Sequence, residues 1–513
     1  MPITAECTCC RSLVVIRMAN VNLPGFVCHL VCLLLGALLT LSFAPFELWW
    51  LGLFSLAGLR LLTSGQSLRG SLTRYYCFAL GLFSTGITWI FVSIHEFGGT
   101  SEPLAALIVT LFVLAWSLTF LPQAWLLHHL ENASWSRAGC WFAVTWVLGE
   151  ALRATVLTGF PWLLVGTAHV NTIFAGWAPL GSVFLVSGVI ALFAELLILG
   201  LGRPRLGLNI VPLSGSMGLL MVTVWVSVIE WTEPSGVLAV AAVQGNLDQR
   251  TKWQSHQFDA NFERHWQPTL GLSEADLVVW PEASFTDFKK NRPQLLQSMD
   301  AAVSERGQGL IIGLPDRNES GYTNTALGLG EVDGSYAKRH LVPFGEYVPL
   351  ERWLRGVIAF FDLPMSRNQP GPQVQAPLSL KGQPLSLSIC YEIAYPHLVR
   401  SAATQPMALV TISNDTWFGD SIGPVQHLQI AQMRALENGR GLLRVTNNGI
   451  TAAIDHAGKV TDLLPRNQQG VLQTELVLVS GDTPYHRLGY GVLGAVLLFG
   501  FLLNVAASRW RRK

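Results

Sequence analysis

Residues 385–392 read Leu385-Ser386-Leu387-Ser388-Ile389-Cys390-Tyr391-Glu392. A short, largely apolar run closed by a polar cluster is the pattern of a buried strand, and it leaves Cys390 at the strand's end. Similar runs recur at 238–243, 277–280, 310–313, 408–412 and 442–445, with helical stretches between several of them at 256–268, 293–306 and 426–438. Strands alternating with helices indicate α/β layers. Two further strand ends carry chemistry-bearing residues. Val278-Val279-Trp280-Pro281-Glu282 sets Glu282 just past a strand, where Pro281 stops the ladder. Tyr336-Ala337-Lys338 sets Lys338 just before the loop Leu341-Val342-Pro343-Phe344-Gly345-Glu346. In open α/β sheets, sites gather at the carboxyl ends of strands.

Outward from this stretch the composition changes. The chain has 513 residues, of which 50% are hydrophobic and 13% charged, against about 25% charged in an ordinary soluble domain. The deficit is concentrated in residues 24–231, whereas 236–485 has the composition of a globular protein. A helix needs about 20 mostly apolar residues to cross a bilayer. Seven candidate spans precede the globular stretch, at 25–43, 47–63, 75–94, 104–127, 139–157, 179–200 and 210–230, and an eighth follows at 488–507. The expected organisation is a basic arm at 1–23, a bundle of seven spans at 24–231, a water-facing domain at 236–485, a last span at 488–507 and a basic tail at 508–513.

Orientation follows from Lys and Arg in short loops. One set of connections carries Arg69 and Arg74, then Arg137, then Arg203 and Arg205; the arm carries Arg11 and Arg17, and the tail Arg509, Arg511, Arg512 and Lys513. The alternate connections, 43–47, 94–103 and 158–178, contain neither Lys nor Arg. The basic ends are therefore expected in the cytoplasm and the 236–485 domain on the opposite face. Arg60, near the inner end of its span, is expected to snorkel towards water. Glu150 and Arg153 share a helix face, either as a mutually satisfied pair or as a contact for a lipid head group.

A net charge of +1, with no basic stripe, argues against a nucleic-acid partner. Seven of the eight cysteines precede residue 141, so the globular stretch has no partner for an internal disulfide. No metal-ligand spacing, phosphate loop or dinucleotide fingerprint is present, and no metal or cofactor is expected. The histidines show no catalytic pattern.

The three strand ends, in their order, resemble the catalytic motifs of the nitrilase superfamily. That resemblance implies a four-layer α-β-β-α sandwich with a Glu-Lys-Cys triad: Glu282, Lys338 and Cys390. The match to the apolipoprotein N-acyltransferase family is closer, since that family sets a nitrilase-like domain between N-terminal spans and one C-terminal span. Further matching stretches are Gln244-Gly245-Asn246, residues 343–349, Ser413 to Asp420 and Thr446 to Gly449.

On this resemblance Cys390 is the nucleophile, a thiol that needs a base and a cationic neighbour to react. Glu282 serves as the base, and Lys338 holds the thiolate and then the oxyanion. Glu346 and Glu392 match acidic positions that support the triad. The Tyr391 backbone N–H is a candidate to complete the oxyanion site. Trp253 matches a functional tryptophan, although packing accounts for it equally well. Segment 354–364, with Phe360 and Phe361, reads as a lipid-admitting lid or as an ordinary buried helix. The implied reaction takes an acyl chain from the sn-1 ester of a phospholipid, through a thioester, to the amine of a diacylated apolipoprotein at a bacterial inner membrane, with the catalytic domain in the periplasm. A membrane-tethered amidase and a non-catalytic lipoprotein carrier are the alternatives.

Overall fold

A computed structural model describes residues 24–133, 141–201, 209–318, 321–349, 368–401 and 405–510. Segment 354–364, the basic arm and the loop arginines Arg137, Arg203 and Arg205 lie outside these residues.

The globular half contains two stacked sheets. The first has the order β13-β1-β2-β3-β4-β6, built from Gly470–Ser480 (β13), Glu233–Gln244 (β1), Leu277–Val279 (β2), Gly309–Asn318 (β3), Gly321–Gly330 (β4) and Ser335–Ala337 (β6). The second has the order β12-β11-β10-β9-β8-β7-β5, built from Val460–Leu464 (β12), Thr451–Ile454 (β11), Leu442–Thr446 (β10), Ala408–Ser413 (β9), Gln383–Ile389 (β8), Leu378–Leu380 (β7) and Val332–Asp333 (β5). Strands β1, β2 and β3 run parallel, as do β8, β9 and β10. Their inner faces meet in one core that includes Val240, Val279 and Ile311 from the first sheet and Leu387, Val410 and Leu443 from the second.

Helices cover both outer faces. Phe258–Leu270 and Pro293–Ser304 pack Phe262, Leu296 and Met299 on the first sheet, around Val243 and Trp280. Gly423–Asn438 covers the second sheet. This is the expected α-β-β-α layering. Central strands buried on both faces read as continuous apolar runs, which is why they were visible in the sequence.

The Gly423–Asn438 helix also faces away from its sheet. Its Ile430, Met433 and Ala435 join a core that runs on into the N-terminal helices, with Trp146, Trp162, Leu185 and Ile190. Among the described residues, three helical stretches are long and apolar enough to cross a membrane: Glu102–Asn132, Ile173–Leu201 and Ile210–Ser227. A fourth is formed if Leu68–Gly86 and Trp89–Phe97, bent by 53°, count as one. Gly25–Thr40, Trp49–Thr63 and Gly491–Ala506 are apolar but shorter. The expected continuous run at 75–94 is thus broken after Gly86, where the chain turns towards the globular half and Ser93 Oγ donates to the Trp417 carbonyl (2.7 Å). Large apolar side chains such as Leu107, Leu111, Met221, Trp225, Leu498 and Phe499 point outwards, as suits contact with lipid tails.

Arg60 does not snorkel. Its side chain is buried and paired with Glu131 and, at 3.0 Å, with Glu195. Two carboxylates from other helices supply the partners that water was expected to supply. The Glu150–Arg153 pair is formed at 3.6 Å and fully buried. Glu150 also accepts from Trp146 Nε1 (3.0 Å) and Val165 N (2.9 Å), so the structural-pair reading is the one the structure carries.

Candidate active site

Glu282 follows β2, Lys338 follows β6 and Cys390 follows β8. Since β4 is antiparallel to both β3 and β6, β6 runs in the same direction as β2. Glu282 and Lys338 therefore leave the first sheet at one end and meet Cys390 leaving the second, at the crevice where such folds place their chemistry.

Lys338 is buried, with Nζ 2.8 Å from Glu346 Oε2 and 3.5 Å from Glu282 Oε1. Burial opposes its charge, but Glu346 and Glu282 outweigh that and hold the ammonium well above the usual lysine range. Glu282 is fixed by two donors: Asn324 Nδ2 to Oε1 (2.6 Å) and the Asn414 backbone N–H to Oε2 (2.8 Å). Asn324 also reaches Glu346 Oε1 at 3.3 Å, and the Val342 N–H donates to Glu346 Oε2 at 2.8 Å. The backbone at Pro281–Ala283 crosses close above Gly313, where a Cβ would lie 2.4 Å from the Pro281 carbonyl oxygen. Only glycine leaves room there for the turn that delivers Glu282.

Cys390 is half-buried and opens a tight helical turn, Cys390–Ala394, directly after β8. Its φ is +53°. For a non-glycine residue this conformation costs on the order of 1–3 kcal/mol and persists only where the surroundings over-determine it. A nucleophile carried on a sharp strand-to-helix turn has its reactive atom thrust forward. Burial pushes the thiol up to about 12, Glu282 adds to the rise, and Lys338 and the nearby Ser413 side chain oppose it. The resting group is therefore a neutral thiol lying within electrostatic reach of both a carboxylate and an ammonium.

Glu392 sits beneath this turn, fully buried. Its carboxylate accepts from the Ile389 N–H (2.9 Å), the Arg339 N–H (2.7 Å), the His340 N–H (3.1 Å) and the Tyr336 hydroxyl (3.0 Å). Burial raises its pKa against the pull of the Ile389 N–H and Lys338. With its oxygens so occupied, Glu392 ties the Cys390 turn to the Lys338 strand end.

Tyr391 is buried with its hydroxyl turned away from the triad, donating to the Gly159 carbonyl in the bundle (3.1 Å); Tyr395 donates to the same oxygen (2.8 Å). Trp253 is 44% exposed, and its ring meets Lys252 Nζ at 5.3 Å. Of the expected site residues, Glu282, Lys338, Cys390 and Glu346 are brought together. Glu392 supports them from below, the Tyr391 side chain serves the bundle, and Trp253 stands at the surface.

Sequence reasoning passed over several neighbours. Asn324 bridges the two carboxylates from mid-strand, where nothing marks it. Lys252 is buried with a pKa lowered to about 8 by burial, against the pull of Glu282; its place beside Trp253 was the available signal. His427, which no sequence motif marks, sets its Nε2 3.3 Å from the Cys390 carbonyl oxygen.

Comparison with known proteins adds independent findings. Residues 35–196 match the apolipoprotein N-acyltransferase N-terminal domain family, and residues 239–482 match the carbon-nitrogen hydrolase family. The chain is 42% identical over 510 residues to the apolipoprotein N-acyltransferase of Pseudomonas syringae pv. tomato, covering 95% of this chain and 99% of that protein. It is likewise 42% identical over 502 residues to the enzyme of that name from Azotobacter vinelandii, covering 95% and 96%. The Vibrio vulnificus protein of the same name is 36% identical over 506 residues, covering 93% and 96%.

Proposed function

The chain belongs to the apolipoprotein N-acyltransferase family, and from that membership we propose that it moves a fatty acyl group from a phospholipid to the N-terminal amine of a diacylated lipoprotein. It is an enzyme of that family, with a carbon-nitrogen hydrolase domain. The observation that carries the mechanism is the buried meeting of Glu282 and Lys338 at the strained turn of Cys390.

In this reading Glu282 takes the proton of the Cys390 thiol as the sulfur attacks the sn-1 ester carbonyl. A thiol held neutral at rest needs that concerted base. Lys338, kept charged by Glu346, faces the developing oxyanion. A single well-placed donor of this kind lowers the barrier by roughly 2.7–4 kcal/mol. The tetrahedral adduct collapses, the proton returns to the leaving oxygen, and lysophospholipid departs. The acyl thioester then meets the α-amine of a diacylglyceryl-cysteine. Glu282 removes a proton from the amine, the amide forms and the thiol is restored.

The organisation that accompanies this reading is a bundle of seven spans at 24–231, a domain at 236–485 facing the periplasm, an eighth span at 488–507 and basic ends in the cytoplasm of a bacterial inner membrane. The core shared between bundle and catalytic domain supports a pocket held at the lipid surface. Access of lipid and poor access of water favour transfer over hydrolysis.

Intact-protein mass spectrometry after exposure to defined phosphatidylethanolamine tests the proposal. The expected result is one added acyl mass on the peptide holding Cys390, discharged as an amide by a diacylglyceryl-cysteine peptide. Retention of the acyl mass in Cys390→Ala would remove the nucleophile assignment, and free fatty acid as the only product would favour a hydrolase.

A further inference from the structure

We infer that His427 is a positioning residue for the nucleophile: from a helix gripped by the bundle, its imidazole fixes the peptide plane between Cys390 and Tyr391. The inference deepens the proposed function and rests on Cys390 being the nucleophile.

His427 is buried behind the turn. Its Nε2 lies 3.3 Å from the Cys390 carbonyl oxygen, while Nδ1 is 3.1 Å from Asp415 Oδ1 and 3.1 Å from Arg444 Nη2. The surrounding network holds the ring in place. Arg444 Nη2 donates to Asp415 Oδ2 at 2.6 Å, and Ser413 Oγ donates to Asp415 Oδ1 at 2.7 Å. Nδ1 thus faces both an acceptor, Asp415, and a donor, Arg444. The Cys390 carbonyl can only accept, so it is Nε2 that carries the proton of that contact. Burial and Arg444 both push the imidazole below its ordinary pKa, against Asp415.

A peptide group is planar and trans, so its C=O and N–H point opposite ways. Holding the Cys390 carbonyl therefore fixes the direction of the Tyr391 N–H, the candidate oxyanion donor. It also opposes relaxation of the turn, in which Cys390 has φ +53°.

The same helix, Gly423–Asn438, is clamped by the bundle. Gln426 accepts from Trp162 Nε1 (2.7 Å) and donates to the Gly86 carbonyl (3.2 Å). Gln429 accepts from the Ala44 N–H (3.2 Å). Glu437 accepts from Ser182 Oγ (2.9 Å) and the Val183 N–H (2.7 Å). The Trp162 ring lies 5.7 Å from the His427 ring. Contacts thus run without a gap from the membrane helices to the main chain of the nucleophile.

The test combines kinetics with a measurement on the unaltered protein. In the full-length enzyme in nanodiscs, His427→Leu should slow acylation of Cys390 by about a hundredfold, the scale of a misplacement near 1 Å, with the KM for phosphatidylethanolamine unchanged within about twofold. His427→Gln, whose side-chain amide can donate to the same carbonyl, should recover most of that loss. Nitrogen-15 NMR of histidine-labelled wild-type protein, with His427 assigned by its absence from the Gln variant, should show a proton on Nε2. That readout stands even if the Leu variant folds poorly. A ring protonated on Nδ1 alone overturns the inference, as does an acylation rate in folded His427→Leu within twofold of wild type. Acyl mass appearing on Cys390→Ala would instead overturn the nucleophile assignment on which the inference rests, so the two failures are distinguishable.

Discussion

Two buried clusters in this chain have the same formal make-up of one cation and two carboxylates. In the bundle, Arg60 lies between Glu131 and Glu195; in the catalytic half, Lys338 lies between Glu282 and Glu346. The difference is in how tightly they close. Arg60 is a planar fork that engages both carboxylates at once, joining the helices Trp49–Thr63, Leu121–Asn132 and Ala178–Leu201. Lys338 is a compact point charge drawn to Glu346 at 2.8 Å and only loosely to Glu282 at 3.5 Å. In the proposed reading Glu346 keeps the lysine charged while Glu282 serves as the base. An arginine fork suits a fixed ion pair, whereas an ammonium suits a site whose partner must change. Equal charge count therefore marks a staple in one place and, in the proposed reading, a base in the other.

Three experiments would break or sharpen this contrast. The largest effect is expected from Glu282→Gln. The substitution is nearly isosteric and should leave the fold intact but lower the Cys390 acylation rate by about 10²–10⁴-fold, the usual contribution of a positioned base; stopped-flow acylation with a chromogenic ester would read it. A loss of folding in place of a loss of rate would make the catalytic cluster a staple too.

Arg60→Met should do the opposite. It strands the buried carboxylate of Glu195 and the partly exposed one of Glu131, and breaking a buried pair typically costs about 3–5 kcal/mol. The thermal midpoint in detergent should fall clearly, while the kcat of the folded fraction stays within about twofold of wild type. A kcat defect without a stability defect would erase the distinction.

The smallest effect concerns pH. The Cys390 thiol is raised from its ordinary 9.0 to about 12, so between those values the folded enzyme keeps a proton that an unfolded chain gives up. The stability it contributes is complete below pH 9 and is lost as pH climbs towards 12. Alkylation of Cys390 by iodoacetamide should accordingly keep rising, about tenfold per pH unit, through pH 9 to 10. A plateau below pH 9 would show a thiolate already formed at rest.

Much of the site was legible because its parts sit at strand ends. Pro281 before Glu282, the Pro343–Glu346 loop after Lys338 and the run closing on Cys390 are local patterns, and each places one functional group where a strand stops. The apolar runs of the bundle were legible for the same reason, although the bend after Gly86 was not, because composition is continuous across it. The support was hidden. Glu131 and Glu195 lie 71 and 135 positions from Arg60, and Asn324 lies 42 from Glu282.

Periodicity and residue type therefore determined the layers, the membrane-like helices and the strand ends that carry Glu282, Lys338 and Cys390, since these depend on neighbours within a few residues along the chain; the roles proposed for those residues came from the family resemblance. Only the tertiary structure decided which carboxylate holds Lys338, which imidazole backs Cys390 and which glutamates capture Arg60. Those pairings arise when burial removes water from a polar group and whatever partner the packing presents must replace it, and no stretch of sequence records who that partner will be.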